Sequence, residues 1–326
     1  MKLKPLVGLV AGMAMATQAW ALPGEGVQVQ GTHSPIAEEA FQTVIVNRAL
    51  EALGYEVLPI QEVDYSPGYA AIANGDLTFT AVNWYPLHNS MYENAGGDSV
   101  FFREGHFIEG AAQGYLIDKA TAEAHNITKI SDLADPEIAK IFDHSGDGKA
   151  DLTGCQAGWG CEGVIEHQLD AFELRDRINH NQGAYAAIIS DTITRFERGE
   201  PILYYTWTPY WVSGILVPNR DVVWLEVPFS SNPNGTDTEM PNGRNYGFDI
   251  NSMRVVANKE WAAENPAAAH LFANVSLSVN DVSAQNMLIR DGQDSAADIE
   301  RHADAWIRAN QDTFDAWVAA AKAVAQ

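Results

Sequence analysis

Residues 77–88 read LTFTAVNWYPLH, an apolar run that ends in a tryptophan, Trp84, and a proline turn. The arrangement recurs at residues 201–211, PILYYTWTPYW, where Trp207 follows a second apolar run. Runs rich in β-branched and aromatic residues that end at a proline are typical of strands. Each motif therefore predicts an indole at the end of a strand, where ligand sites of open α/β sheets form.

A third tryptophan, Trp159, lies between glycines in residues 158–163, GWGCEG, ahead of a helical pattern. Glycines let a ligand approach the backbone closely. The chain has nine tryptophans, and most are expected to pack in the core, but these three have settings of their own. With no acid next to them in the sequence, they predict a cage for a cation without N–H groups, bound at about 0.5–2 kcal/mol per ring.

The amino terminus has the pattern of a secretory signal peptide. A basic start at residues 1–4 precedes an apolar segment at 6–16 and a small-x-small cleavage site at 19–21. The apolar segment is too short to span a bilayer, and no later stretch reaches eighteen apolar residues. Cleavage after Ala21 leaves Leu22 rather than a lipid-anchored cysteine. The sequence predicts a soluble, exported protein.

Charge narrows the classes of partner. Loss of Lys2 and Lys4 with the signal peptide changes the net charge from −23 to −25. Such a charge argues against nucleic acid and anionic membrane surfaces as partners. Removing 21 of 326 residues leaves 305, enough for two ordinary domains.

The only cysteines, Cys155 and Cys161, lie six residues apart. In an oxidising compartment this spacing favours one disulfide with a small loop, which would brace the turn that carries Trp159. The alternative is a reactive Cys161 thiol at a helix N-terminus, which would need a reduced thiol and a positioned base.

The remainder alternates between helical and strand patterns. Helical patterns cover residues 36–53, 163–174, 185–196, 266–273, 282–288 and 296–324, and strand patterns cover 56–60, 222–227 and 253–257. Alternation of this kind predicts mainly parallel sheets with helices on their faces. Extended runs at 110–118 and 245–255 look like crossings between two lobes. We therefore expect one lobe from 22–112 and 250–326, and the other from 113–249.

Residues 143–151, DHSGDGKAD, resemble the first part of a calcium-binding loop. Asp143, Ser145, Asp147 and Asp151 occupy positions 1, 3, 5 and 9, and Lys149 occupies position 7, which binds through its carbonyl oxygen. Position 12 is Gly154 rather than glutamate. The loop is therefore either a weak structural calcium site or a turn that its own side chains stabilise.

Six segments together resemble the periplasmic glycine betaine/proline betaine binding proteins of osmoprotectant ABC importers. They are residues 62–65, 80–84, 110–118, 148–155, 158–163 and 204–212. The resemblance covers essentially the whole mature chain, including both cysteines and the Asp143 loop. It implies an α/β type II periplasmic-binding-protein fold, with two lobes around central sheets, a two-segment hinge and the ligand in the cleft.

The resemblance also assigns roles to residues. It implies that Trp84, Trp159 and Trp207 enclose a quaternary ammonium, and that His88 and the backbone N–H groups of Gly160 and Cys161 bind the ligand carboxylate. The expected protein is a periplasmic monomer without a required cofactor. It would deliver glycine betaine or proline betaine to an inner-membrane permease and its ATPase.

Two other classes remain open. A secreted enzyme acting on a choline derivative would need a nucleophile with a base, or a metal site with an open position. The chain contains neither Gly-x-Ser-x-Gly nor His-Glu-x-x-His. A binding protein for another small solute, such as a sugar, would need several carboxylates and amides to bind hydroxyl groups.

Overall fold

The computed structural model describes residues 21–325, so residues 1–20 of the predicted signal peptide lie outside it. The strands are β1 Gln28–Val29, β2 Gly31–His33, β3 Glu56–Val57, β4 Gln61–Glu62, β5 Phe79–Tyr85, β6 Phe101–Phe102, β7 Ile108–Ala111, β8 Gln113–Asp118, β9 Ala150–Thr153, β10 Ile178–Asn181, β11 Leu203–Trp207, β12 Val222–Trp224 and β13 Asn251–Asn258.

The α-helices are α1 Ala40–Ala52, α2 Tyr65–Asn74, α3 Asn89–Asn94, α4 Lys119–His125, α5 Pro136–Ala139, α6 Gly160–Ala171, α7 Tyr185–Glu197, α8 Val212–Ile215, α9 Lys259–Glu264, α10 Pro266–Asn274, α11 Val279–Arg290, α12 Ala296–Ala309 and α13 Gln311–Val324. Short 3-10 turns cover 37–39, 97–99, 130–134 and 140–142. No helix in residues 21–325 has both the length and the apolarity that a membrane span requires.

The strands form two main sheets. In the first, the order is β4-β2-β5-β13-β6, and β7 also pairs with β13. In the second, the order is β10-β9-β11-β8-β12. The chain passes from the first sheet to the second at Ala112, between β7 and β8, and returns to the first before Asn251. The lobe boundaries that the sequence suggests stay a prediction.

The prediction of mainly parallel sheets is wrong, because both sheets are mixed. β13 runs antiparallel to β5, and β8 runs antiparallel to β11 and to β12. The first residues of β13 face the last residues of β5, with Ser252 opposite Tyr85. In the second sheet Gln113, the first residue of β8, faces Trp207, the last of β11. β8 and β13 are the first strands after the chain crosses between the sheets, and they start at the edge where β11 and β5 end. They therefore run in the opposite direction to β11 and β5.

Several predicted elements keep their place with different bounds. The helix expected at 36–53 begins as the 3-10 turn at 37–39, and the strand expected at 56–60 has only two paired residues, Glu56–Val57. The strand expected at 222–227 ends at Trp224. The helix expected at 163–174 begins earlier, at Gly160, which places the residues after Trp159 in its first turn.

Helix α1 packs against the first sheet and is covered on several sides. Phe41, Ile45, Val46 and Leu50 are all buried, although they point in different directions around the helix. One side of α1 contacts β5, and α12 and α13 cover other parts of its surface. Helix α11 contacts the 3-10 turn at 37–39, so the carboxyl-terminal helices cover the whole segment that begins at residue 37.

Candidate ligand-binding site

A cavity lies where the two sheets meet. Its wall includes all six residues that the sequence singled out for ligand contact. The residues that line it are Ile36, Glu38, Glu39, Gln42, Tyr65, Trp84, Leu87, His88, Gln113, Trp159, Gly160, Cys161, Tyr205, Trp207, Pro209, Tyr210, Met253, Val282 and Asn286. The arrangement therefore brings together residues from both sheets and from helices α1, α6 and α11.

Two of the tryptophans reach the cavity in equivalent ways. Trp84 is the penultimate residue of β5 in the first sheet, and Trp207 is the last residue of β11 in the second. Each is followed two residues later by a proline with a cis peptide bond, Pro86 and Pro209. The repeated sequence motif thus corresponds to two strand ends that face one cavity from opposite sheets.

Trp159 completes the aromatic wall from a different element. Its ring centroid lies 5.6 Å from that of Trp207, and the two ring planes meet at 80°. Tyr185 packs behind both indoles, at 6.2 Å from Trp159 and 4.6 Å from Trp207. Edge-to-face aromatic packing fixes ring orientation. The two indoles and Tyr185 therefore form one packed aromatic cluster.

Backbone donors lie beside the aromatic wall. Trp159 is the N-cap of α6, so Gly160 and Cys161 are its first two residues. The first N–H groups of a helix have no acceptor within the helix, and they bind anions well. A Cβ added to Gly160 would lie 2.8 Å from Leu87 Cγ and 3.0 Å from the Leu87 oxygen. Only glycine lets this helix end approach the Leu87–His88 turn so closely.

His88 is not the solvated loop residue that its sequence setting allows, because it is only 1% exposed. Burial lowers the pKa of His88 from 6.5 to about 3, so the ring is neutral at physiological pH. Its Nδ1 lies 3.1 Å from the Tyr69 hydroxyl, and Asn83 Nδ2 donates to that same hydroxyl at 2.6 Å. A Tyr69 hydroxyl that accepts from Asn83 donates to Nδ1, which leaves the proton of His88 on Nε2.

Two acids share the cavity with the indoles, although no acid is next to the tryptophans in the sequence. Glu38 and Glu39 follow β2, which pairs in parallel with β5. Parallel neighbours end at the same edge of a sheet, and this brings Glu39 to Trp84 across 45 residues of sequence. Burial raises the pKa of Glu38, which lies against the side chains of Tyr210 and Trp211.

Comparison with known proteins identifies the family. The profile of the substrate-binding domain of ABC-type glycine betaine transport systems matches residues 28–309. The chain belongs to this family. It is 59% identical over 308 residues to the glycine betaine-binding periplasmic protein OusX of Dickeya dadantii, with 94% of this chain and 93% of that protein covered.

A second relative is equally similar. The glycine betaine/proline betaine-binding periplasmic protein of Escherichia coli is 59% identical over 308 residues, which cover 93% of each chain. A crystal structure of a glycine betaine, L-proline-binding protein of an ABC transporter from Borrelia burgdorferi matches with a TM-score of 0.70 at 19% identity. That match covers 92% of this chain and 100% of the other. The predicted type II periplasmic-binding-protein fold is confirmed.

Other lining residues had little or no signal in the sequence. Tyr205 and Tyr210 belong to the quoted 201–211 motif and could have been included with Trp207. Gln42, Gln113 and Asn286 come from distant segments and each has a buried polar atom without a hydrogen-bond partner among residues 21–325. The cavity therefore combines an aromatic wall with polar groups whose contacts the protein itself leaves open.

The side chains of the Asp143 loop accept hydrogen bonds from its own backbone. Asp143 accepts from the backbone N–H groups of Gly146 and Gly148, and Asp151 accepts from those of His144 and Ser145. Asp147 accepts from the N–H of Lys149 and from Asn179. Among the described residues, no group of three or more His, Cys, Asp or Glu is placed to hold a metal. Whether the loop also binds calcium stays a prediction.

The predicted disulfide is confirmed, and it ties the end of β9 to the first turn of α6. Cys155 and Cys161 are bonded, with their Cα atoms 5.9 Å apart. The backbone N–H of Cys155 also donates to His180 Nε2 at 2.9 Å. The bond therefore braces the segment that carries Trp159 and Gly160.

Reduction of this disulfide should weaken ligand binding more than it disturbs the fold. A loop of this length contributes only roughly 2 kcal/mol to global stability, but Trp159 and the N–H donors lie inside or beside it. Titration calorimetry with glycine betaine before and after reduction, with circular dichroism as the control for folding, measures both effects. Native protein should contain no free thiol, and two titratable thiols would contradict the assignment.

Proposed function

We propose that this protein is a periplasmic receptor for glycine betaine and proline betaine that delivers them to an ABC importer. The observation that carries the proposal is the convergence of Trp84, Trp159 and Trp207 with two helix-terminal N–H groups and His88 on one cavity. Family membership and the names of the two relatives support the same ligand class.

The two ends of a betaine need opposite kinds of contact. Its quaternary ammonium has no N–H to donate, so aromatic faces can hold it through charge and methyl surface. Its carboxylate accepts hydrogen bonds, which Gly160 N–H, Cys161 N–H and His88 Nε2–H can supply. The two sets of groups lie next to each other because Trp159 immediately precedes the donors on α6.

Binding should stabilise a closed arrangement of two lobes. Trp84 and His88 belong to the first sheet and its following turn, whereas Trp207 belongs to the second sheet. A ligand that contacts both sets gains contacts only when the sheets are close together, so it favours that state. We propose that the lobes are residues 22–112 with 250–326 and residues 113–249, and that the closed monomer is recognised by a membrane permease driven by an ATPase. Export through the signal peptide at 1–21 would place it in the periplasm.

An enzyme that acts on a choline derivative is supported less well. The sulfur of Cys161 is bonded to that of Cys155 in the disulfide, so it cannot attack a substrate. His88 contacts Tyr69 through Nδ1 rather than a serine or cysteine nucleophile. The cavity therefore supports capture without chemistry.

Calorimetric titration with glycine betaine, proline betaine, carnitine and a panel of sugars tests the proposal. We expect saturable 1:1 binding of the two betaines and no heat from sugars. The enzyme alternative is tested by incubating the same protein with acetylcholine and following its hydrolysis products by proton NMR. Absence of betaine binding by folded protein would refute the receptor proposal.

Betaine affinity should not follow the ordinary titration of histidine. Because the pKa of His88 is lowered to about 3, its ring stays neutral through the pH range around 6.5 in which an exposed histidine gains a proton. The contribution of neutral His88 to stability is complete above its unfolded-state pKa of about 6.5 and is lost as the pH falls towards 3. Titrations from pH 6 to 8 should give one affinity, and a step centred near pH 6.5 would contradict a neutral donor.

Tyr69→Phe should lower the affinity for glycine betaine roughly three- to tenfold. This corresponds to part of the energy of one charge-assisted hydrogen bond. Without the Tyr69 hydroxyl, the His88 proton is free to shift to Nδ1, and Nε2 then no longer donates. Tyr92→Phe is the matched control, because it removes another buried hydroxyl from the same aromatic cluster, one that bonds to Asp98 instead. Nitrogen-15 NMR of His88 reports the tautomer directly, and an unchanged tautomer in Tyr69→Phe would contradict this role.

A further inference from the structure

Glu39 is buried in the cavity wall beside two aromatic residues, and no cationic side chain in residues 21–325 pairs with it. It is 5% exposed. Its Oε1 accepts from the Tyr65 hydroxyl at 2.6 Å and from Trp84 Nε1 at 3.4 Å. Its Oε2 accepts from the backbone N–H and the hydroxyl of Ser34, at 3.1 Å and 2.7 Å. All four donors are neutral.

Buried carboxylates are normally paired with a cation, because neutral donors offset only part of the cost of burying a charge. Within residues 21–325, no lysine, arginine or histidine nitrogen lies within 4.0 Å of the Glu39 carboxylate. The cavity next to it is the place where a ligand would bring a positive charge. Glu39 thus has no positive partner in this part of the protein, and a cationic ligand would bring one to the cavity beside it.

We propose that Glu39 is the counter-ion of the ligand's quaternary ammonium and the residue that makes the cavity select a cation over a neutral group of the same shape. The proposal rests on the betaine function proposed above. A quaternary ammonium cannot donate a hydrogen bond, so Glu39 would act through its charge while its oxygens stay bonded to Ser34, Tyr65 and Trp84. An N–H···carboxylate bond also makes the Trp84 ring more electron-rich, which strengthens its attraction for a cation.

Glu38 does not fit this role as well, although it is the neighbouring residue and lines the same cavity. Burial raises the pKa of Glu38, and the nearby charge of Glu39 acts in the same direction. Two adjacent carboxylates in a buried site favour ionisation of only one of them. Four donors are directed at the oxygens of Glu39, two from Ser34 and one each from Tyr65 and Trp84.

The test compares two ligands that have the same shape and differ in charge. Glycine betaine and 3,3-dimethylbutanoate share a carboxylate and a trimethyl head, but the central head atom is N⁺ in one and carbon in the other. Glu39→Gln keeps the size of the side chain and removes its charge. We expect Glu39→Gln to bind glycine betaine at least tenfold more weakly, while its affinity for 3,3-dimethylbutanoate stays equal or rises.

Two control variants separate the effect of losing the Glu39 charge from an effect on the structure of the site. Glu62→Gln makes the same change in net charge at an exposed residue of β4 outside this cavity, and it should leave both affinities unchanged. Glu38→Gln should change the ratio of the two affinities less than Glu39→Gln does. If Glu39→Gln weakens both ligands equally, Glu39 only positions Tyr65 and Trp84, and the proposal is wrong. A larger change of the ratio in Glu38→Gln would also overturn it.

A measurement on the unmodified protein covers the case in which Glu39→Gln does not fold. Infrared difference spectra with carboxyl-¹³C ligands separate the protein's carboxylate bands from those of the ligand. Glycine betaine should shift a protein carboxylate band that 3,3-dimethylbutanoate leaves in place, and no such shift would overturn the proposal. Failure of the unmodified protein to bind glycine betaine at all would instead refute the receptor function.

Discussion

Choline should bind at least a hundredfold more weakly than glycine betaine. It keeps the trimethylammonium group but has no carboxylate, so it cannot use the N–H groups of Gly160 and Cys161 or the Nε2–H of His88. Hydrogen bonds to a charged acceptor contribute roughly 1.5–3 kcal/mol each, and losing two of them already lowers affinity more than a hundredfold. Competitive calorimetric titration of one protein sample with both ligands measures the ratio.

Glycine and the His88→Ala variant complete this test. Glycine keeps the carboxylate, but its ammonium N–H groups would face indole rings, and the oxygens of Glu39 are already bonded to four donors. It should therefore bind weakly, because buried donors without acceptors are costly. His88→Ala should weaken glycine betaine and change choline little. Equal affinities for choline and glycine betaine would refute the carboxylate half of the site and favour a choline-related function.

Loss of any cage indole should weaken the binding of glycine betaine by about 1–2 kcal/mol or more. This is a loss of affinity of roughly five- to thirtyfold. The expectation applies to Trp84→Ala, Trp159→Ala and Trp207→Ala. Removing Trp159 or Trp207 should have the larger effect, because each also orients the other through their edge-to-face contact at 5.6 Å. Phenylalanine at the same positions should retain more affinity than alanine, since it keeps an aromatic face.

Trp306→Ala is the matched control for these variants. Trp306 stacks on Trp317 in the carboxyl-terminal helices, with ring centroids 5.8 Å apart, and it does not line the cavity. It should lower thermal stability without changing the affinity of the folded protein. Normal betaine binding by all three cage variants, with unchanged circular dichroism, would mean that the cage lies elsewhere.

The local features of the site could be predicted from sequence because each depends on neighbours along the chain. An apolar run followed by proline sets the end of a strand, which places Trp84 and Trp207 at strand ends. The glycines around Trp159 permit a close backbone approach, and the spacing of Cys155 and Cys161 permits a small-loop disulfide. The predicted helix start at residue 163 is three residues too late, because glycines at 160 and 163 resemble a turn more than a helix.

The direction of the strands was not predictable from alternation alone. Parallel pairing is the usual result when each strand returns through a helix to the same edge. Here β8 and β13 begin at the edge where the chain crosses between the sheets, so they pair antiparallel with β11 and β5. The rule failed at the crossings because they replace a helical return with a direct passage.

The sequence by itself determined which short segments carry the indoles, the helix-terminal N–H groups and the disulfide, since those depend on residues within a few positions of one another. Only the tertiary structure decided what surrounds them. The parallel pairing of β2 with β5 places Glu39 next to Trp84, and the packing of α2 against the first sheet places Tyr69 on His88. The charge state of a cavity and the tautomer of its histidine depend on such distant neighbours, because electrostatic and hydrogen-bond contacts act through space rather than along the chain.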